Sequence, residues 1–182
     1  MVTKEINKNK ILEFLDIGCG SGCISISLLE YYKKSVGTGI DISKDAILNT
    51  KINLSNYNLI NRIKLLRKNI FIYETDKKFD LIISNPPYLK LSDYISLDPG
   101  IKKYEPKEAL IGDNKKGLKF YKEIIKKFRN NIKLNGYLAF EIGDNQFMQI
   151  NKLLILNGFI VVSKYKLINN QIRCMLAKKV KN

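Results

Sequence analysis

Asn85-Pro86-Pro87-Tyr88 directly follows an apolar run, Phe79 to Ser84, and its residue types suit the handling of an amide or exocyclic amino group. Such a nitrogen is planar and weakly nucleophilic, so two acceptors placed for its two N–H bonds would hold its lone pair toward an electrophile. The Asn85 side-chain oxygen and the Pro86 carbonyl can supply them, Pro87 has no N–H to compete for them, and Tyr88 could stack on the flat group. No strong base is needed, because the product nitrogen is acidic enough to lose its proton to water. That matches a chain without histidine, which excludes Ser-His-Asp relays, Cys-His pairs and histidine-ligated zinc. No metal is expected. Asn-Pro and Pro-Pro are also ordinary turn dipeptides, so the location of the tetrad matters as much as its letters.

A second set is Asp16-Ile17-Gly18-Cys19-Gly20-Ser21-Gly22, followed by Asp41. Glycines at a strand-to-helix turn let the backbone bend sharply and lie against a ligand with no Cβ in the way. An acid at the end of the next strand can accept from both hydroxyls of a ribose. Together they point to an adenosine-containing cofactor, although a glycine turn alone also serves helix-on-strand packing. The spacing is G-x-G-x-G, not the dinucleotide G-x-G-x-x-G, and the lysine of a phosphate-binding P-loop is missing.

The elements that must position these residues alternate. Leu12 to Ile17 is expected as a strand, Cys23 to Tyr32 as a helix, Val36 to Asp41 as a strand, and Ser43 as the N-cap of a helix over Lys44 to Asn56. Ile63 to Leu66 and Phe79 to Ile83 are short apolar runs expected to be strands buried on both faces. About 28 residues rich in turn formers then lead to Gly117, a length that usually carries function. A helix over Leu118 to Asn130, a strand over Gly136 to Ile142, a helix over Gln146 to Leu156, and strands over Phe159 to Tyr165 and Ile172 to Ala177 complete the pattern. The last two are too close for a helical crossover and must be antiparallel. The expected fold is α/β: a doubly wound, Rossmann-like, mostly parallel seven-stranded sheet with its last strand reversed, and ligands beyond the carboxyl ends of its central strands. One domain is expected over residues 1–182, with a polar, flexible lead-in from Met1 to Lys10.

Net charge is +15, from 32 basic and 17 acidic residues, which makes a negatively charged partner plausible. Only Arg62, Arg67, Arg129 and Arg173 are arginines, and a lysine-heavy skew suits an AT-rich coding bias as well as a nucleic-acid surface. The three cysteines, Cys19, Cys23 and Cys174, have neither zinc-ribbon nor CxxC spacing, so free thiols and a cytoplasmic setting are expected. No run reaches the ~18 apolar residues of a membrane span.

DIGCGSG with Asp41 resembles the S-adenosylmethionine site of class I methyltransferases. The resemblance implies that Gly18, Cys19, Gly20, Ser21 and Gly22 form the loop under the methionine end and that Asp16 shapes it and accepts from the cofactor's amino group, directly or through water. It further implies that Asp41, with Ile42 beside it, binds the ribose. Asn69 stands where the family commonly has an acid for the adenine amino group, with Ile70 along the adenine face, and Asn85 borders the cofactor as well as the substrate. The product would be S-adenosylhomocysteine.

Asn85 to Tyr88 resembles the amino-methyltransferases, which include adenine-N6 DNA, guanine-N2 RNA and glutamine-N5 protein enzymes. Tyr104-Glu105-Pro106-Lys107-Glu108-Ala109-Leu110-Ile111-Gly112-Asp113, with Gly117-Leu118, Tyr121, Phe140-Glu141-Ile142-Gly143 and Arg173, is similar to the bacterial release-factor glutamine methyltransferases, often called the HemK or PrmC family. The likeness covers Phe14 to Lys178. It implies methyl transfer to the glutamine of the Gly-Gly-Gln motif of a release factor by a monomeric enzyme. DNA or RNA amino methylation, and a cofactor-binding partner protein without catalysis, are the rival expectations. Family members usually carry an N-terminal helical domain, so a fragment or a reduced enzyme is expected here.

Overall fold

The computed structural model describes residues 1–98, 100, 102, 107–113 and 116–181. Its middle layer is a seven-stranded sheet of β1 (Glu13–Ile17), β2 (Val36–Asp41), β3 (Ile63–Arg67), β4 (Phe79–Ser84), β7 (Ile132–Glu141), β8 (Phe159–Lys166) and β9 (Ile172–Lys179), and β5 (Leu89–Lys90) pairs with β6 (Ile111–Asp113) in a separate parallel pair. The order across the large sheet is β3-β2-β1-β4-β7-β9-β8. All neighbours are parallel until β9, which runs antiparallel to both β7 and β8. The reversed strand of the expected fold is thus last in sequence and second from the edge in space.

Side chains alternate between two apolar layers, as the period of a strand requires. Leu15, Ile82, Leu138, Phe140 and Met175 face one cluster, with α6 (Lys119–Phe128) and α7 (Phe147–Leu156) over it. Phe14, Leu81, Ala139 and Leu176 face the other, under α2 (Cys23–Tyr31) and α3 (Lys44–Asn56). On α6, Tyr121, Ile124, Ile125 and Phe128 are buried at helical spacing, each contributing about 1.5–3 kcal/mol relative to exposure. The Ser43 hydroxyl accepts from Ala46 N–H at 3.2 Å and starts α3 where expected.

Several expectations need correction. β3 is not buried on both faces: it is an edge strand, and Lys64 and Arg67 are exposed. β7 starts four residues before Gly136, because a register shift opposite Phe79 and Leu81 carries the chain through Asn135 at φ 63°. The long connection after Tyr88 contains β5, α4 (Leu91–Ile95), α5 (Lys107–Leu110) and β6. Of the Tyr104 to Asp113 motif, Tyr104, Glu105 and Pro106 lie outside the described residues. At the start, α1 (Val2–Glu5) brings Val2 and Ile6 into the second apolar cluster with Leu12 and Phe14. Among the described residues no helix is long and apolar enough to cross a membrane.

Candidate active site

The register of the central strands brings the two sequence motifs together. Ile17 is level with both Ile40 and Ser84, and Ser84 with Phe140. Gly18, Asp41, Asn85 and Glu141 therefore leave β1, β2, β4 and β7 along one edge of the sheet, at the carboxyl ends where α/β folds place ligands. The Ser84 hydroxyl donates to the Ile17 carbonyl at 2.8 Å and ties the two central strands together there.

The glycine turn leaves β1 with Gly18, Gly20 and Gly22 at φ 71°, 56° and 82°, a left-handed backbone that side chains other than glycine adopt at a cost. Gly18 and Gly20 have nothing within 4 Å of where a Cβ would stand. At Gly22 a Cβ would fall 2.8 Å from Thr50 Cγ2, so α3 packs against the turn. The Thr50 hydroxyl donates to the Gly20 carbonyl at 2.8 Å and the Asn53 amide to the Ser21 carbonyl at 2.8 Å. Cys19 turns its thiol inward onto Thr50, and burial pushes it up to about 12, so it is no nucleophile. Cys19 shapes the loop instead of presenting a side chain to a ligand.

Asp41 accepts from Gly20 N–H at 3.0 Å with one carboxylate oxygen and from Ser43 N–H at 2.9 Å with the other. Each oxygen keeps a lone pair for a hydroxyl. Ile42, beside it, is 59% exposed. Asp16 is fully buried and accepts from the Ser25 hydroxyl at 2.6 Å through Oδ2, while its Oδ1 has no partner among the described residues. Burial pushes this carboxyl up to about 6 against the opposing effect of the Ser25 hydrogen bond, with the Asp41 charge adding to the rise. A buried carboxylate oxygen without a donor, an open glycine cradle and a carboxylate at the end of β2 fit S-adenosylmethionine, which carries an ammonium group and a ribose.

Asn69 sits beyond β3 as expected, but its side-chain oxygen already accepts from Phe71 N–H at 2.9 Å. Any hydrogen bond from an adenine amino group must share that oxygen. Ile70 is 8% exposed and belongs to the first apolar cluster.

Asn85 is exposed, Pro86 is buried, and Pro87 and Tyr88 are partly buried. The Tyr88 carbonyl accepts from Gln146 Nε2 at 2.9 Å, and the same amide donates to the Lys116 carbonyl at 3.0 Å while its oxygen accepts from Gly143 N–H at 2.9 Å. A Cβ at Gly117 would fall 1.9 Å from the Tyr88 carbonyl oxygen, which explains a glycine there. Asp113 accepts four backbone N–H bonds, from Lys116, Gly117, Leu118 and Lys119, at 2.6–3.1 Å. It caps the start of α6 and joins the Leu110-Ile111-Gly112-Asp113 end of the downstream motif to the tetrad, next to the β5–β6 pairing. The hydrogen-bonding roles of Gln146, Asp113, Thr50 and Asn53 were not found by sequence reasoning; the signal available was polar residues on otherwise apolar helix faces and an acid just before α6.

Arg173 lies with its guanidinium carbon 4.8 Å from the centre of the Tyr88 ring, donates to the Tyr88 hydroxyl, and pairs with Glu141 at 2.8 Å. A cavity of about 560 Å³ is lined by Tyr73, Glu74, Lys78, Lys127, Asn130 and Asn131 among others, before the amino ends of β4 and β7 and away from this site.

Residues 1–95 match the methyltransferase small domain family. A release factor glutamine methyltransferase of Fusobacterium nucleatum is 44% identical over 170 residues, covering 91% of this chain and 46% of that protein. A protein of the same name from Clostridium acetobutylicum is 35% identical over 181 residues, 97% of this chain and 62% of that protein. A bifunctional methyltransferase of Rickettsia bellii is 36% identical, over 88% of this chain and 29% of that protein. The chain thus spans from about a third to somewhat over half the length of these curated relatives. Among solved structures, the ribosomal protein L11 methylase of Lactobacillus delbrueckii subsp. bulgaricus superposes with a TM-score of 0.67 at 20% identity, covering 94% of this chain and 72% of that one. A methyltransferase from Pyrococcus furiosus superposes with a TM-score of 0.70 at 16% identity, covering 96% and 78%. These likenesses show the fold.

Proposed function

The chain belongs to the methyltransferase small domain family, and from that premise we propose that it transfers a methyl group from S-adenosylmethionine to the side-chain amide nitrogen of a glutamine in a peptide-chain release factor. The observation that carries the reading is the emergence of the Gly18–Gly22 loop and of Asn85-Pro86 from adjacent strands, β1 and β4, on one edge of the sheet. The names of the relatives from Fusobacterium and Clostridium support the choice of substrate.

S-adenosylmethionine supplies, when bound, a methyl group made electrophilic by its sulfonium. Asp16 would hold the cofactor's ammonium, directly or through water, Asp41 its ribose, and exposed Ile42 with the edge of Ile70 its base, with Asn69 at the rim. Asn85 Oδ1 and the Pro86 carbonyl accept the two N–H bonds of the substrate amide and fix its lone pair toward the methyl. As positive charge grows on that nitrogen, both acceptors are already oriented to stabilise it. Tyr88 closes the turn behind these acceptors, its ring held beside Gly143 and Arg173. The proton leaves to water, so histidine is not required. The cytoplasm, where release factors work, is the compartment in which we place it.

The test is incubation with methyl-labelled cofactor and, separately, a release factor, ribosomal protein, RNA and DNA. Label on the glutamine of the release factor's Gly-Gly-Gln motif supports the proposal. Label on RNA or DNA alone overturns it.

A further inference from the structure

Two segments close around Tyr88: the connection from Gly143 to Gln146 ahead of α7, and β9. The carbonyl is held by Gln146. The ring lies against Gly143, where a Cβ would come within 2.8 Å of Tyr88 Cδ2. Arg173, on β9, covers the ring at 4.8 Å, and one of its amino groups donates both to the Tyr88 hydroxyl and to Glu141 Oε1. Glu141 is level with Cys174 across β7 and β9, so strand pairing places Arg173 beside it.

The ion pair alone gives little reason for an arginine here. Its two side chains are 29% and 28% exposed, and pairs open to solvent contribute about 0–1 kcal/mol. A lysine would serve as well. What arginine adds is a flat cation that lies over the aromatic ring while one of its amino groups bonds both Tyr88 and Glu141. That geometry is spent on the last residue of the tetrad whose first two residues hold the substrate nitrogen.

We infer that Arg173 is a positioning residue for methyl transfer: anchored by Glu141, it fixes the ring and hydroxyl of Tyr88 and so holds the Asn85–Tyr88 turn in one orientation. This rests on the function proposed above. It acts through Tyr88, not on the cofactor. Its loss should therefore lower the rate of the chemical step and leave cofactor binding alone.

The experiment uses the full chain carrying Arg173→Met, Arg173→Lys, Glu141→Gln, Tyr88→Phe and the Arg173→Met/Tyr88→Phe double change, with tyrosine ring carbons labelled for NMR. Tyr88→Phe assigns the Tyr88 resonance by its disappearance. Arg173→Met should shift that resonance, lower kcat on the release factor by at least about tenfold, change KM less than kcat, and leave cofactor affinity within twofold. Arg173→Lys keeps the charge and loses the stack, so it should recover only part of the rate. The double variant should lose less than the two single losses multiplied together, because both changes act through the same side chain. Full recovery by Arg173→Lys, additive losses in the double variant or an unmoved Tyr88 resonance would overturn the inference. Should Arg173→Met fail to fold, Glu141→Gln decides by the same resonance and the same split between kcat and KM. If the parent methylates no release factor, the proposed function fails, and the Tyr88 resonance still shows whether Arg173 holds the ring.

Discussion

Asp16→Asn should make this protein more stable and worse at holding its cofactor, and pH should separate the two effects. The carboxyl is fully buried and pushed from its ordinary 3.8 to about 6, chiefly by loss of solvation. A carboxyl whose folded value is raised favours the protonated native state. Its penalty is absent below pH 3.8, grows as pH rises toward 6, and is complete above 6. Two units at about 1.36 kcal/mol each give roughly 3 kcal/mol at pH 7.5. Asparagine is uncharged throughout and, like the protonated acid, keeps an oxygen for the Ser25 hydroxyl. Urea unfolding should therefore show the variant equal to the parent at pH 4 and about 3 kcal/mol more stable at pH 7.5, or roughly 6–12 °C in Tm for a domain this size. Calorimetry on the same samples should show cofactor affinity down by about 10- to 100-fold, the worth of a hydrogen bond to a charged group. The parent should also lose affinity as pH falls below 6, and the variant should not. Equal stabilities at every pH, or a less stable variant at pH 7.5, would show that the buried Asp16 charge carries no such cost.

Asp41→Ala removes the acceptor of Gly20 and Ser43 N–H as well as the proposed ribose partner; calorimetry should detect no cofactor binding while unfolding stays cooperative with a loss of about 1–2 kcal/mol, and binding within twofold of the parent would show that the ribose is held elsewhere. Gly22→Ala meets both a left-handed backbone and Thr50 Cγ2 at 2.8 Å, whereas Gly20→Ala meets only the backbone strain, so thermal melts should show a larger loss for Gly22→Ala, at least about 1–2 kcal/mol. Gln146→Ala leaves the Tyr88 and Lys116 carbonyls and Gly143 N–H without their buried partner; it should cost about 1–3 kcal/mol in urea and speed amide exchange at Gly143, and a parental midpoint would contradict that.

The two motifs were legible because each stands where a strand ends and its letters mark the turn: glycines after Ile17, prolines after Ser84. α3 was legible to the residue because Ser43 caps it. What stayed hidden depends on contacts distant in sequence. Nothing local says that Thr50 and Asn53, about 30 residues on, hold the carbonyls of the glycine loop, or that Arg173 reaches back 85 positions to Tyr88. Asn69 shows the reverse problem. Its residue type suits an acceptor for the cofactor, but the turn to Phe71 already uses its oxygen. The early part of β7 was missed because Lys133 and Asn135 are exposed and break the apolar pattern, although backbone pairing resumes across the register shift.

Asn85 carries the proposed transfer, and the decisive measurement is single-turnover methyl transfer to a release factor by the Asn85→Ala protein beside the parent, with cofactor affinity determined on both. Asn85 is exposed at the end of β4, so its removal should leave the fold intact. One preoriented acceptor lost from the reacting nitrogen slows transfer by on the order of 10²-fold, with cofactor affinity changed by no more than a few-fold. Parental turnover in the variant would contradict the account, whatever the substrate.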